Sequence, residues 1–291
     1  MEYTYYPGCS LEASAKGYDE SMRFVFNALG LKLLELEDWG CCGATSYMST
    51  KETISLVISA RNLALAEKSG RDIVAPCSAC YTILYKTNKV LKENPIMQAK
   101  VNQSLRRDKL KYNLTLKVRH PLEVLVTDLG IDKIASRASR RLDGVKVAPY
   151  YGCQIVRPDR GIDDHENPRM MDDLFAALGA ENVYFPMKVR CCGGMLMTTF
   201  PDVALELNKK ILECAQENGA DLILTTCPLC QINLEAYQDK INRKFRTRFR
   251  IPVFFFTQLL GLALEGSPED LGIQRNLIPF RFKFNPMEGF R

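Results

Sequence analysis

Ten of the eleven cysteines in this 291-residue chain fall into two sets of five with nearly the same spacing. Cys9, Cys41, Cys42, Cys77 and Cys80 read C-x31-CCG-x33-C-x2-C, and Cys153, Cys191, Cys192, Cys227 and Cys230 read C-x37-CCG-x33-C-x2-C. The offset between the sets is 144 residues for the first cysteine and 150 for the other four. In a reducing compartment such thiols bind metal or do redox chemistry, because disulfides do not persist there. A bond between the adjacent Cys41 and Cys42 would also close a strained ring. Zinc takes four tetrahedral ligands, whereas each set offers five, and neighbouring side chains reach one ion with difficulty. They reach two irons of one cluster more easily, and thiolate is the usual ligand of iron–sulfur clusters. Five thiolates exceed the four of an ordinary cubane and point to a non-standard cluster. Zinc in one half stays open as an alternative. Gly43, Gly193 and Gly194 are expected to let the backbone approach a bulky inorganic core, since they carry no Cβ. Pro228 suits the first turn of a helix opening at Cys227, whose N-terminus favours anionic sulfur. Cys214 has no counterpart in the first half and reads as a buried structural cysteine.

The elements that must bring these thiols together also repeat. Tyr5-Tyr6-Pro7-Gly8-Cys9 matches Tyr150-Tyr151-Gly152-Cys153, Ala28-Leu29-Gly30 matches Ala177-Leu178-Gly179, and Gly70-Arg71-Asp72-Ile73-Val74 matches Gly219-Ala220-Asp221-Leu222-Ile223. Each half reads as a strand (2–7; 145–151), a helix (11–29; 168–179), a strand (31–36; 182–186) ending at CCG, and a long helix (50–69; 201–218). A buried strand (72–76; 221–225) then leads into CxxC and another helix. Segments 122–129 and 255–262 read as a matching amphipathic helix. Strand and helix in alternation give an α/β fold, expected as two pseudo-symmetric halves with mostly parallel sheets. Sites in such sheets gather at the carboxyl ends of strands, where all ten cysteines lie. The halves span 1–142 and 143–265, followed by a tail over 266–291. The stretch 81–119, with Lys86, Lys89, Lys92, Arg106, Arg107, Lys109 and Lys111, reads as a basic helical insertion with a solvated face.

Hydrophobic residues make up 46% and charged residues 25%, with a net charge of +5, which is too weak a basic balance to argue for nucleic acid. No signal peptide is visible, and the longest apolar run, 251–264, is too short to span a bilayer. The expectation is a cytoplasmic protein without a membrane span.

The doubled C-x(n)-CCG-x(m)-C-x2-C pattern over residues 3–265 resembles the CCG-domain, or cysteine-rich domain, family, and within it the B subunits of heterodisulfide reductase from methanogenic archaea. The resemblance implies two non-cubane [4Fe-4S] clusters. Cys9, Cys41, Cys42, Cys77 and Cys80 would hold one, and Cys153, Cys191, Cys192, Cys227 and Cys230 the other. It implies reduction of the coenzyme M–coenzyme B heterodisulfide to two thiols, with the disulfide lying between the clusters. No ferredoxin-type C-x2-C-x2-C-x3-C-P run occurs, so electrons would come from separate subunits. These would be a cubane iron–sulfur C subunit and a flavin-bearing A subunit, with a hydrogenase or formate dehydrogenase in the wider complex. The alternatives are a CCG electron-transfer subunit of another complex, for hydroxy-acid oxidation or quinone reduction, and a zinc or cluster-binding scaffold. The implied substrate is anionic, which makes Lys188, Arg190, Arg157 and His165 candidates to hold it, with His165 also a candidate proton donor. His120 precedes Pro121 at a helix start and reads as structural. Residues 277–284 alternate apolar with basic after Pro279, like an edge strand that docks a partner subunit.

Overall fold

The structure, a computed structural model, describes residues 1–44, 47–157 and 161–280. Among the described residues eight short strands form two sheets. The first holds β1 (Glu2–Tyr5), β2 (Lys32–Glu35), β3 (Ile73–Val74) and β4 (Val118–Arg119) in the order β2-β1-β3-β4. The second holds β5 (Lys146–Tyr150), β6 (Glu181–Asn182), β7 (Leu222–Thr225) and β8 (Val253–Phe255) in the equivalent order β6-β5-β7-β8. Every pairing is parallel, with Thr4 opposite Ile73 and Val147 opposite Leu222. Parallel strands covered on both faces are apolar throughout, and all four residues of β7 are buried. The fold is therefore α/β with two pseudo-symmetric halves, as the repeat requires.

The fourth strands, β4 and β8, have no counterpart in the sequence reading, and β4 lies inside the stretch expected to be a helical insertion. Residues 81–119 do not form one insertion. They hold most of the CxxC helix Ser78–Glu93, a second helix Pro95–Leu105 capped by Asn94 Oδ1 on the Met97 amide at 3.0 Å, and β4. The basic side chains there do face solvent, with Lys86 paired to Glu52 at 2.8 Å. Strand β6 is shorter than expected and starts one residue earlier, because the chain turns at Pro186 after Val183 has donated to Val147 O at 3.0 Å. The two segments expected to be matching amphipathic helices do follow equivalent strands. The first, however, becomes a π-helical turn, Val124–Leu129, and the second, Phe256–Ala263, is buried on every side.

That burial arises because the halves share a core. Phe256–Ala263 packs on helix Lys16–Ala28 of the first half, Tyr18 stacks on Phe255 at 4.2 Å, and Ser21 Oγ meets Thr257 Oγ1 at 2.6 Å. His120 is a buried N-cap: Nδ1 accepts the Leu122 amide at 3.2 Å and Nε2 lies 3.1 Å from Pro76 O. Burial pushes its pKa down to about 3, so the neutral ring donates through Nε2.

Residues 267–280 do not project as a docking segment. Leu271 is fully buried against Gly261 and Gly266, Arg275 forms a two-pronged ion pair with Glu20 at 3.0 and 2.7 Å, and Asn276 Nδ2 donates to Val253 O at 3.1 Å. The tail thus covers the exposed edge of β8 and straps it to the first half. No strand forms over 277–280, and 281–284 lie outside the described residues. Leu271→Ala is expected to cost about 2–5 kcal/mol through the cavity it leaves. Chemical denaturation of wild type and variant checks this, and an unchanged midpoint would contradict it. Among the described residues no helix is long and apolar enough to cross a membrane.

Candidate metal centres

Each thiol is placed by a strand end. After β1 the chain turns sharply at Gly8 (φ +71°), and a Cβ there would lie 3.1 Å from Cys80 Sγ. After β5 it turns in the same way at Gly152 (φ +69°), with Cys230 Sγ again 3.1 Å from the missing Cβ. These are the glycines that let backbone abut sulfur. Gly43 and Gly193 also seat the CCG loops against the long helices, where a Cβ would meet Ser55 O at 2.9 Å and Ala204 at 3.1 Å.

Side chains of those helices hold the loops. Asn62 Nδ2 donates to Cys41 O at 2.9 Å, its Oδ1 accepts the Gly40 amide at 2.9 Å, and Ser55 Oγ donates to Gly43 O at 2.7 Å. In the second half Asn208 Nδ2 donates to Cys192 O at 2.8 Å. Tyrosines at equivalent strand positions brace both loops, Tyr6 on Gly40 O at 2.7 Å and Tyr150 on Arg190 O at 2.6 Å. The loop amides turn onto sulfur, Gly43 to Cys41 at 3.4 Å, Gly193 to Cys191 at 3.3 Å and Gly194 to Cys192 at 3.4 Å. Cys77 and Cys227 are N-caps of the CxxC helices, and Pro228 occupies the first turn as expected.

Six thiols are buried, namely Cys42, Cys77 and Cys80 in one set and Cys192, Cys227 and Cys230 in the other. Cys9, Cys41, Cys153 and Cys191 form the more open rims. Cys192 and Cys230 lie 3.5 Å apart, and the thiols of Cys77 and Cys227 neighbour each other across the junction between the halves. There Ser78 Oγ also meets Thr226 Oγ1 at 3.3 Å. Hydrogen bonds between the thiols lower one partner and raise the other, so Cys42, Cys191 and Cys192 come down while Cys80, Cys153 and Cys230 go up. Cys80 brings Cys42 down to about 7 against the effect of burial. Cys153 brings Cys191 down to about 6, with help from the Gly193 amide and the Arg157 charge. Thiolate is the form that binds iron.

Among the described residues no three His, Cys, Asp or Glu side chains converge on one ion-sized point. Instead, all five second-half cysteines line a cavity of about 280 Å³, closed on its far side by Ser78, Ala79 and Thr82 of the first half's CxxC helix and by Met48. A thiol-rich wall around a space suits a core of several metal atoms bridged by sulfide, which an iron–sulfur cluster supplies.

The other candidate residues separate. Arg157 and Arg190 are exposed and share a groove with Cys153 and Cys191, joined by Lys210, which the sequence reading missed. Lys188 is not available to a ligand. It is buried, with Nζ on Asp172 Oδ1 at 2.6 Å and Pro168 O at 3.1 Å, while its carbonyl accepts the Tyr151 and Gly152 amides at 2.9 and 3.0 Å. It is a brace for the turn before Cys153. His165 sits on an exposed turn lined by residues 161–166, outside both thiol-lined cavities. Cys214 is half-buried and belongs to neither set.

The model of the cysteine-rich domain family, CCG, matches residues 3–85 and 147–235. The chain is 35% identical over 276 residues to the B subunit of a ferredoxin/F420H2-dependent CoB-CoM heterodisulfide reductase of Methanosarcina acetivorans, covering 93% of this chain and 92% of that one. It is 32% identical to the 8-methylmenaquinol:fumarate reductase membrane anchor subunit of Wolinella succinogenes, covering 95% and 97%. A crystal structure of a hypothetical Helicobacter pylori protein shares the fold at TM-score 0.81 and 17% identity, over 97% of this chain. The chain spans about half of that structure, 53% of its length. With one family match in each half and a complete cysteine set in both, the chain belongs to the cysteine-rich (CCG) domain family.

Proposed function

We propose that the chain is an iron–sulfur subunit of an oxidoreductase complex and that it reduces a disulfide, the coenzyme M–coenzyme B heterodisulfide, to two thiols. The observation that carries this reading is the cavity in which five sulfurs of one half face the CxxC helix of the other. Cys9, Cys41, Cys42, Cys77 and Cys80 would hold one non-cubane [4Fe-4S] cluster, and Cys153, Cys191, Cys192, Cys227 and Cys230 the second. When bound, such clusters supply electrons one at a time. The chain's own residues bind and orient the substrate. Met48, Ala79, Met195 and Leu229 give the cavity apolar and thioether surface suited to a C–S–S–C group. Arg157, Arg190 and Lys210 border the adjoining groove and suit a sulfonate, phosphate or carboxylate. Two electrons and two protons cleave the S–S bond to two thiols, and solvent at the Cys191 rim supplies the protons.

Electrons would reach this chain from a cubane iron–sulfur C subunit fed by a flavin-bearing A subunit, with a hydrogenase or formate dehydrogenase further out. A second reading, electron relay in another redox complex, is favoured by the similarity to the Wolinella protein over nearly its whole length. The test is disulfide turnover by anaerobically purified protein with an artificial reductant. Two thiols formed per disulfide supports the first reading. Full iron content without turnover rejects it in favour of the relay.

A further inference from the structure

The two thiol sets and their backbone donors repeat, with the Gly43 amide on Cys41 and the Gly193 amide on Cys191, but the side-chain donors to sulfur do not. In the second half Asn233 lies on the CxxC helix three residues after Cys230 and is 2% exposed. Its Nδ2 donates to Gly194 O at 2.9 Å, lies 3.3 Å from Cys192 O, and stands 3.6 Å from Cys192 Sγ. The two carbonyls fix the amide orientation, since only the NH2 end can face them. The offset of 150 that relates Cys80 to Cys230 places Ile83 where the second half has Asn233. Ile83 is equally buried, at 2% exposure, and has no proton to give. Among the described residues no side-chain N–H or O–H reaches a sulfur of the first set, which receives backbone amides such as Gly43 on Cys41 at 3.4 Å. Charge adds to the difference, because Arg157 shares a groove with Cys153 and Cys191 of the second set.

Hydrogen bonds and cations at ligand sulfur stabilise the more negative, reduced state of an iron–sulfur centre and raise its potential. We propose that Asn233 sets a centre held by the second thiol set at a higher reduction potential than one held by the first, so that the repeated sites are redox-inequivalent. This rests on the iron–sulfur reading. An electron entering at the first set would then run downhill across the Cys77–Cys227 junction to the set that lines the cavity.

The test is an anaerobic potentiometric titration of the full chain, followed by electron paramagnetic resonance, with iron counted in every sample. A wild-type chain without iron overturns the cluster reading itself. With iron present, two midpoints are expected in wild type. Asn233→Leu should lower the higher one by up to about tenfold in the one-electron equilibrium, about 59 mV, and leave the lower in place. Ile83→Asn, which adds the missing donor, should raise the lower midpoint. A purely structural Asn233 would alter iron content and move neither midpoint. Coincident wild-type midpoints overturn the proposal. An unmoved lower midpoint in Ile83→Asn does so too, and that variant decides alone if Asn233→Leu loses iron.

Discussion

Cys41→Ser and Cys191→Ser are each expected to lose about half of the iron and all disulfide turnover with an artificial reductant that bypasses partner subunits. Serine is a harder, less acidic ligand than cysteine and holds iron–sulfur units poorly. Both cysteines sit on open rims and each belongs to one set, so each change removes a ligand of that set and none of the other. Turnover would be lost in both because, in the proposed reaction, the disulfide lies between the two centres with one substrate sulfur toward each set. The measurement is turnover by each variant, with the surviving centre followed spectroscopically. Near-normal turnover in either variant would rule out joint action of the two sets and leave the damaged one as a relay.

Gly152→Val should remove the second set's iron without touching any ligand. The position has φ +69°, which a β-branched residue does not tolerate, and its new Cβ would press on Cys230 Sγ at 3.1 Å. Gly144→Ala is the control. It also has positive φ, at +81°, but nothing lies within 4 Å of its Cβ, so it carries backbone strain alone, about 1 kcal/mol. Iron should fall by about half in Gly152→Val and stay full in Gly144→Ala. Full iron in Gly152→Val would show that the close approach to Cys230 is not needed.

The parts legible in the sequence were those written in local pattern. The cysteine spacing repeats, β7 is a largely apolar run, β1 is rich in tyrosine, and Pro228 marks a helix start. What escaped depends on contacts made far along the chain. Strand β4 is two residues of a basic stretch and exists only because Ile73 pairs with Val118. Phe256–Ala263 carries polar residues that suggest a wet face, but Thr257 is buried on Ser21 of the other half and Gln258 on Leu271 O. Lys188 reads as a free cation beside Cys191 until the fold brings Asp172 to it. The tail's alternation looks like an edge strand, whereas residues 267–280 close the edge of a strand already present. Gly8 and Gly152 were visible, since each precedes the first cysteine of its set, but their contact with Cys80 and Cys230 required the structure.

The claim on which everything else depends is that each five-thiol set holds a polynuclear iron–sulfur centre. Metal and acid-labile sulfide analysis of anaerobically purified full-length chain tests it most directly. Two four-iron centres give roughly eight irons, matching sulfide and little zinc per chain. One zinc per chain with half that iron would contradict the assignment for one half, and zinc without sulfide would contradict it for both.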